Sequence, residues 1–124
     1  MQELKRNISY IGVHIVADFW GAKIIESSRE LKILLADAAK KGKNTFLKFA
    51  LHKFSPRGIT GVALLSESHI SFHTWPEFEY TAIDIFTCGI KSKPEEALEF
   101  LKKELRPKSL QVRIIKRGRR IGKR

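Results

Sequence analysis

Residues 65–89 run Leu65-Ser66-Glu67-Ser68-His69-Ile70-Ser71-Phe72-His73-Thr74-Trp75-Pro76-Glu77-Phe78-Glu79-Tyr80-Thr81-Ala82-Ile83-Asp84-Ile85-Phe86-Thr87-Cys88-Gly89. β-Branched and aromatic residues dominate, and Pro76 interrupts them, so the stretch predicts two strands, Ser68 to Trp75 and Phe78 to Thr87. A period of two puts His69, Ser71 and His73 on one face and Ile70, Phe72 and Thr74 on the other. Paired as a hairpin, the second strand returns Cys88 to the start of the first, beside Ser68. Hydroxyl, imidazole, carboxylate and thiol then meet in one region, which is the inventory of a site.

Working outward, Ile59 to Leu65 predicts the preceding strand. The turn Ser55-Pro56-Arg57-Gly58 separates it from another, Thr45 to Phe54. In that strand Phe46, Lys48, Ala50 and His52 share one face, and Leu47, Phe49, Leu51 and Lys53 the other. Ser27-Ser28-Arg29-Glu30 has the spacing of a capping box. Leu31, Leu34, Leu35, Ala38 and Ala39 follow at the helical period, and Gly42 ends the helix. Ile8 to Phe19 predicts an opening strand. Downstream, Ser92-Lys93-Pro94-Glu95 reads as a second capping box, with Ala97, Leu98, Leu101 and Leu105 as the buried stripe and Pro107 as the stop. Leu110 to Ile115 predicts a last strand. The order β-α-β-β-β-β-α-β predicts an α+β fold: a two-layer sandwich, its sheet mostly antiparallel and its helices on one face. The other face is left for a second copy to cover.

The chain has 124 residues, the length of a single domain spanning residues 1–124, and 43% of them are hydrophobic. Its net charge is +11, unevenly placed: after Glu104 there are nine Lys or Arg and no acid, while residues 1–104 carry 15 basic and 13 acidic groups. The basicity thus belongs to a tail, residues 118–124 at its extreme, and a solvated end is its ordinary reading. No apolar run is long enough to span a membrane. Met1-Gln2-Glu3-Leu4-Lys5 lacks the apolar segment of a secretory signal. The lone Cys88 excludes an internal disulfide and suits a reducing cytoplasm. Four scattered His and one Cys lack the paired spacing of a zinc site, so no metal is expected. Neither a Gly-x-Gly-x-x-Gly motif nor a phosphate-loop lysine motif occurs. Taken singly, the central residues are ordinary: a strand histidine is more often structural than catalytic, and a free cysteine is usually a small buried apolar group.

Taken together, Ser66-Glu67-Ser68-His69, His73-Thr74-Trp75-Pro76-Glu77 and Phe86-Thr87-Cys88-Gly89 resemble the prokaryotic S-adenosylmethionine decarboxylase proenzyme, a pyruvoyl-dependent family. His52-Lys53-Phe54-Ser55-Pro56 with Gly58-Ile59-Thr60-Gly61 resembles its upstream segment, and Gly12, His14 and Asp18 fit its opening strand. The likeness runs from about Ile11 to about Gly118. It implies autocatalytic cleavage at Glu67-Ser68 into residues 1–67 (β chain) and 68–124 (α chain). Ser68 Oγ attacks the Glu67 carbonyl, and elimination leaves a covalent pyruvoyl group in place of Ser68. That group forms a Schiff base with the substrate's α-amine and acts as electron sink. The resemblance further implies that His73 abstracts a proton during the elimination and that Cys88 returns one to the substrate carbon. Phe54, reaching across from a partner subunit, stacks on adenine, and Glu77 accepts from the ribose hydroxyls. Thr60, where some relatives carry Ser, keeps a hydroxyl for processing. A homodimer of processed αβ pairs is implied, with S-adenosylmethionine as substrate, its product the aminopropyl donor for spermidine.

Three other readings compete. A branch of this family decarboxylates arginine, but Phe54 offers a stacking face that arginine cannot use. A nucleic-acid-binding module would account for the tail, but the sheet segments and turns hold Glu67, Glu77, Glu79 and Asp84 rather than a basic stripe. A processing-dead relative would not need Ser68, His73 and Cys88 together.

Overall fold

The structure, a computed structural model, describes residues 9–119. The segment Met1 to Lys5, the first residue of the predicted opening strand, Ile8, and the tail from residue 120 onward lie outside the described residues. Six strands and two helices follow in the predicted order: β1 Gly12–Trp20, α1 Ser28–Lys41, β2 Phe46–Lys53, β3 Ile59–Leu65, β4 Ser68–Trp75, β5 Tyr80–Cys88, α2 Pro94–Leu105 and β6 Ser109–Arg117. A single 3₁₀ turn, Pro76–Phe78, joins β4 to β5. The strands form one sheet in the order β2-β3-β4-β5-β1-β6, and every neighbouring pair is antiparallel.

Both helices lie on one face of this sheet. The core between the layers takes Leu31, Leu35 and Ala38 from α1 and Leu101 and Leu105 from α2, against Ile15, Phe19, Ile70, Phe72, Ile83 and Ile85 from the sheet. Each large apolar side chain fully buried here contributes about 1.5–3 kcal/mol of transfer free energy, so this layer boundary holds the fold together. Helix α1 approaches β3 closely. A Cβ at Gly61 would stand 2.6 Å from Leu31 Cδ2, so any larger residue there displaces that buried side chain. The Ser27 hydroxyl accepts the Glu30 N–H at 3.2 Å, as the capping box predicts.

Three local expectations are corrected. The opening strand begins at Gly12, after Ser9 to Ile11. The pairing of β2 with β3 slips between Phe46 and Lys48, a bulge that turns Phe46 from the face of Lys48 and His52 to the core side. Phe46 then packs against the core, as Phe49 and Leu51 do, and Leu47 is left exposed. Ser92 does not cap α2: its hydroxyl donates to Asn44 at 2.9 Å, and Lys93 is the N-cap residue with no side-chain bond. The proline at position 94 disfavours helical backbone at Lys93, which sits at φ −129° and ψ 76°, so the helix starts at the ring itself.

The face away from the helices carries His69, Ser71 and His73 of β4, as the period of two predicts. Their β5 partners across the ladder are Phe86, Asp84 and Ala82. From β1, His14, Val16 and Asp18 continue the same rows. Among the described residues no helix is long and apolar enough to cross a membrane.

Candidate active site

The open face presents two clusters, one at each end of β4. The first surrounds the hairpin between β3 and β4. Leu65 pairs with Ser68, so the loop is only Ser66 and Glu67. Two-residue hairpins normally place a positive φ inside the loop. Here neither loop residue has one, and Ser68 takes a φ of 148° instead. A side chain at such a φ costs about 1–3 kcal/mol and persists only when its surroundings impose it. They do so here: the Ser66 N–H donates to Thr45 O at 3.0 Å, and the Thr45 N–H donates to the Glu67 carboxylate at 3.0 Å. From the other side the Cys88 N–H donates to the Glu67 carbonyl oxygen at 3.2 Å, and the Cys88 thiol reaches the same oxygen at 3.5 Å. The peptide carbonyl between Glu67 and Ser68 is therefore gripped by two donors, beside a hydroxyl held in strained backbone.

His69 completes this cluster, its Nδ1 3.4 Å from Ser68 Oγ. Its ring meets the Phe86 ring edge-on, and Phe86 also contacts the His14 ring and lies under the Arg117 guanidinium. Burial, then the nearby His14, lowers the pKa of His69 below its ordinary value. Further along the face, Asp84 accepts from the Ser71 hydroxyl at 3.1 Å and pairs with His14 Nε2 at 3.0 Å.

The second cluster lies at the far end. Phe54, Arg57, Thr60, His73, Trp75 and Glu77 line a cavity of about 220 Å³. Thr60 and His73 are cross-strand partners, with Oγ1 and Nδ1 3.0 Å apart. That contact fixes the imidazole's orientation. Arg57 is held by a bidentate contact with Glu26. The Tyr80 ring stacks between Trp75 and Trp20, and its hydroxyl donates to Asp18 in a short hydrogen bond. Burial, reinforced by that bond, raises the Tyr80 pKa to about 12, so the phenol stays protonated at any physiological pH.

The residues singled out in the sequence thus divide. Glu67, Ser68 and Cys88 meet at the hairpin, and Phe54, Thr60, His73 and Glu77 meet at the cavity. His73 stands five residues beyond Ser68 on one strand, a separation of roughly 16 Å. The expectation of one region is corrected to this extent: closeness in sequence along a strand is distance in space. Sequence reasoning gave His69 little weight, and it passed over the Trp75–Tyr80–Trp20 ladder. Their signal was the alternation of β4 and β5, which puts all of them on the open face. Among the described residues no group of three His, Cys, Asp or Glu is placed to hold a metal ion.

A helix-backed antiparallel sheet whose bare face gathers a strained serine, a gripped carbonyl, imidazoles and a thiol has the equipment of an enzyme. The profile of the family described as S-adenosylmethionine decarboxylase matches residues 13–118. The S-adenosylmethionine decarboxylase proenzyme of Methanococcus maripaludis is 44% identical over 110 residues, covering 87% of this chain and 90% of that protein. The protein of the same name from Sulfurihydrogenibium sp. is 46% identical over 110 residues, 87% of this chain and 83% of its own length. The crystal structure of the adenosylmethionine decarboxylase from Aquifex aeolicus superposes with a TM-score of 0.84 at 34% identity, covering 94% of this chain and 98% of that one. This chain belongs to the S-adenosylmethionine decarboxylase family.

Proposed function

We propose that the chain is a proenzyme that cuts itself between Glu67 and Ser68 and then decarboxylates S-adenosylmethionine. The observation that carries the cleavage is the φ of 148° at Ser68 beside a carbonyl oxygen already bound by the Cys88 N–H. Attack of Ser68 Oγ on that carbonyl develops negative charge on the oxygen, where a fixed donor stabilises it. Breaking the peptide link also releases the strain at residue 68. A pyruvoyl group fits this position, because its α-carbon is a planar carbonyl carbon without the amide nitrogen, so no φ is left to strain. Once formed, it supplies a carbonyl that withdraws electrons from the carbon losing carbon dioxide.

The remaining roles follow from chemistry and position. His73, oriented by Thr60, removes the α-proton of residue 68 during processing. Cys88, freed from the Glu67 oxygen by the cut, delivers a proton from its thiol to the substrate carbon. Phe54, half exposed at the cavity, stacks on adenine, and Glu77 accepts from the ribose hydroxyls. Since the two clusters are too far apart to share one substrate within a chain, a second copy supplies the missing half. Its open face packs against this one in a homodimer of processed αβ pairs. A free thiol at Cys88 suits the cytoplasm. Arginine has no ring for Phe54, and the aspartates on the open face, Asp18 and Asp84, disfavour nucleic acid there.

Intact mass spectrometry of purified protein tests the cleavage: two fragments meeting at Glu67/Ser68 are expected, and Ser68→Ala should give one inactive chain. Carbon dioxide release from carboxyl-labelled substrates tests the reaction. Release from S-adenosylmethionine is expected, and release from arginine alone would overturn the choice.

A further inference from the structure

We propose that His69 is a catalytic residue of the self-cleavage: its Nδ1 takes the proton of the Ser68 hydroxyl as Oγ attacks the Glu67 carbonyl. The inference rests on the reading of Glu67-Ser68 as the cleavage site.

Successive residues of a strand point to opposite faces, so a serine and the next histidine do not ordinarily touch. The left-handed backbone at Ser68 lets Oγ approach the His69 ring, at 3.4 Å. Hydrogen bonds of this kind are often long before reaction and tighten as the attack begins. The other candidate bases on the described face are engaged or distant. The Glu67 carboxylate is held by the Thr45 N–H. Asp84 is held by Ser71 and His14. The Cys88 thiol points at the carbonyl oxygen as a donor. His73 of the same chain is at the other end of the strand.

The ring is also in the right state. Burial against Phe86 disfavours its charged form, and His14 and Arg117 do the same, while Asp84 acts in the opposite sense. His69 is therefore neutral at pH 7 and free to accept.

The proton inventory closes. The Ser68 Oγ–H proton moves to Nδ1 as the bond from Oγ to the Glu67 carbonyl carbon forms. The resulting oxyanion is held by the Cys88 N–H and thiol. Collapse breaks the bond to the Ser68 nitrogen, and Nδ1 hands its proton to that nitrogen as it leaves. An ester and a free amine result, with no net change in protons and no oxidation.

Hydroxylamine cleaves esters and spares amides, so it reads this first step alone. In a His73→Ala background, which blocks the later elimination, the rate of hydroxylamine cleavage at Glu67 is measured with His69 intact and with His69→Gln or His69→Asn. Loss of a general base predicts a rate about a hundredfold lower in both variants. At a fixed concentration of unprotonated hydroxylamine, the rate with His69 intact should rise with pH through an inflection below the ordinary imidazole value, as the ring loses its proton; the variants should lack that inflection. Added imidazole should speed the His69→Ala chain. Melting of the same changes in a Ser68→Ala background checks that they fold. If the variants cleave at the unmodified rate, or slow down yet keep the inflection, His69 is not the base. That result leaves the cleavage reading intact. A chain with His69 and His73 both present that is never cut at Glu67-Ser68 sinks the cleavage reading itself.

Discussion

Ser68 holds a φ of 148° because three hydrogen bonds, from the Ser66, Thr45 and Cys88 N–H groups, pin the residues around it. Glycine would hold the same backbone without a Cβ penalty. Strain of about 1–3 kcal/mol is set against the greater chain entropy that glycine loses on folding, about 0.5–1 kcal/mol, and the strain wins. Both Ser68→Gly and Ser68→Ala lack the attacking hydroxyl and should remain single uncut chains. Of the two, Ser68→Gly should melt higher by about 4 °C, equivalent to about 1 kcal/mol, in calorimetry at matched concentration. A lower melting point for the glycine variant would mean that the backbone at this residue is relaxed. The sequence displayed the chemistry of this position, since a hydroxyl after Glu67 and a thiol one hairpin away are visible as letters. The strain was not visible. It arises because Ser66 and Glu67 form the whole loop and neither adopts a positive φ, a property of register rather than of residue type.

At the scale of elements, what was legible is what period and punctuation encode. The stripe of Leu31, Leu34, Leu35, Ala38 and Ala39 gave α1 its buried face, and Pro94 and Pro107 bracket α2. The β2 bulge was hidden, because a strict alternation assigns Phe46 to the face of Lys48 and only pairing with Leu65 shows otherwise. Gly61 is a case where packing of two elements dictates one residue. Leu31 is fully buried and its Cδ2 would stand 2.6 Å from a Cβ at Gly61, so Gly61→Ala displaces the Leu31 side chain within a packed core. Overpacking of this kind costs about 1–3 kcal/mol, which urea unfolding should register as a lower midpoint with an unchanged slope. Shortening the opposing side chain relieves the clash. Gly61→Ala combined with Leu31→Ala should therefore be less destabilised than the sum of the two single changes, a coupling expected only for groups in contact. Strict additivity would remove the close approach as the reason for glycine.

On the proposed roles, the whole molecule holds two half-sites at opposite ends of one face. Ser68, Glu67 and Cys88 lie at one end of the open face, and Phe54, Thr60, His73 and Glu77 at the other, about 16 Å away along β4. No reading of one chain's sequence could reveal this, because the motif His73-Thr74-Trp75-Pro76-Glu77 follows Ser68 closely in number while strand geometry carries it away. The homodimer proposed above would resolve the division if its two-fold axis lays the cavity end of each copy over the hairpin end of the other. The consequence is complementation between defective chains. Ser68→Ala lacks the hairpin chemistry, His73→Ala lacks the cavity chemistry, and each homodimer is inactive. Co-expressed in equal amounts with random pairing, half the dimers are mixed. Each mixed dimer contains one site with Ser68 from one chain and His73 from the other. Activity should return to about a quarter of the unmodified level. Mass spectrometry should find cleaved product from the His73→Ala chain only, because the Ser68→Ala chain has nothing to attack with. Activity no higher than that of the separate variants would mean that each chain assembles its site alone, and the distance along β4 would then need a conformational change to close it.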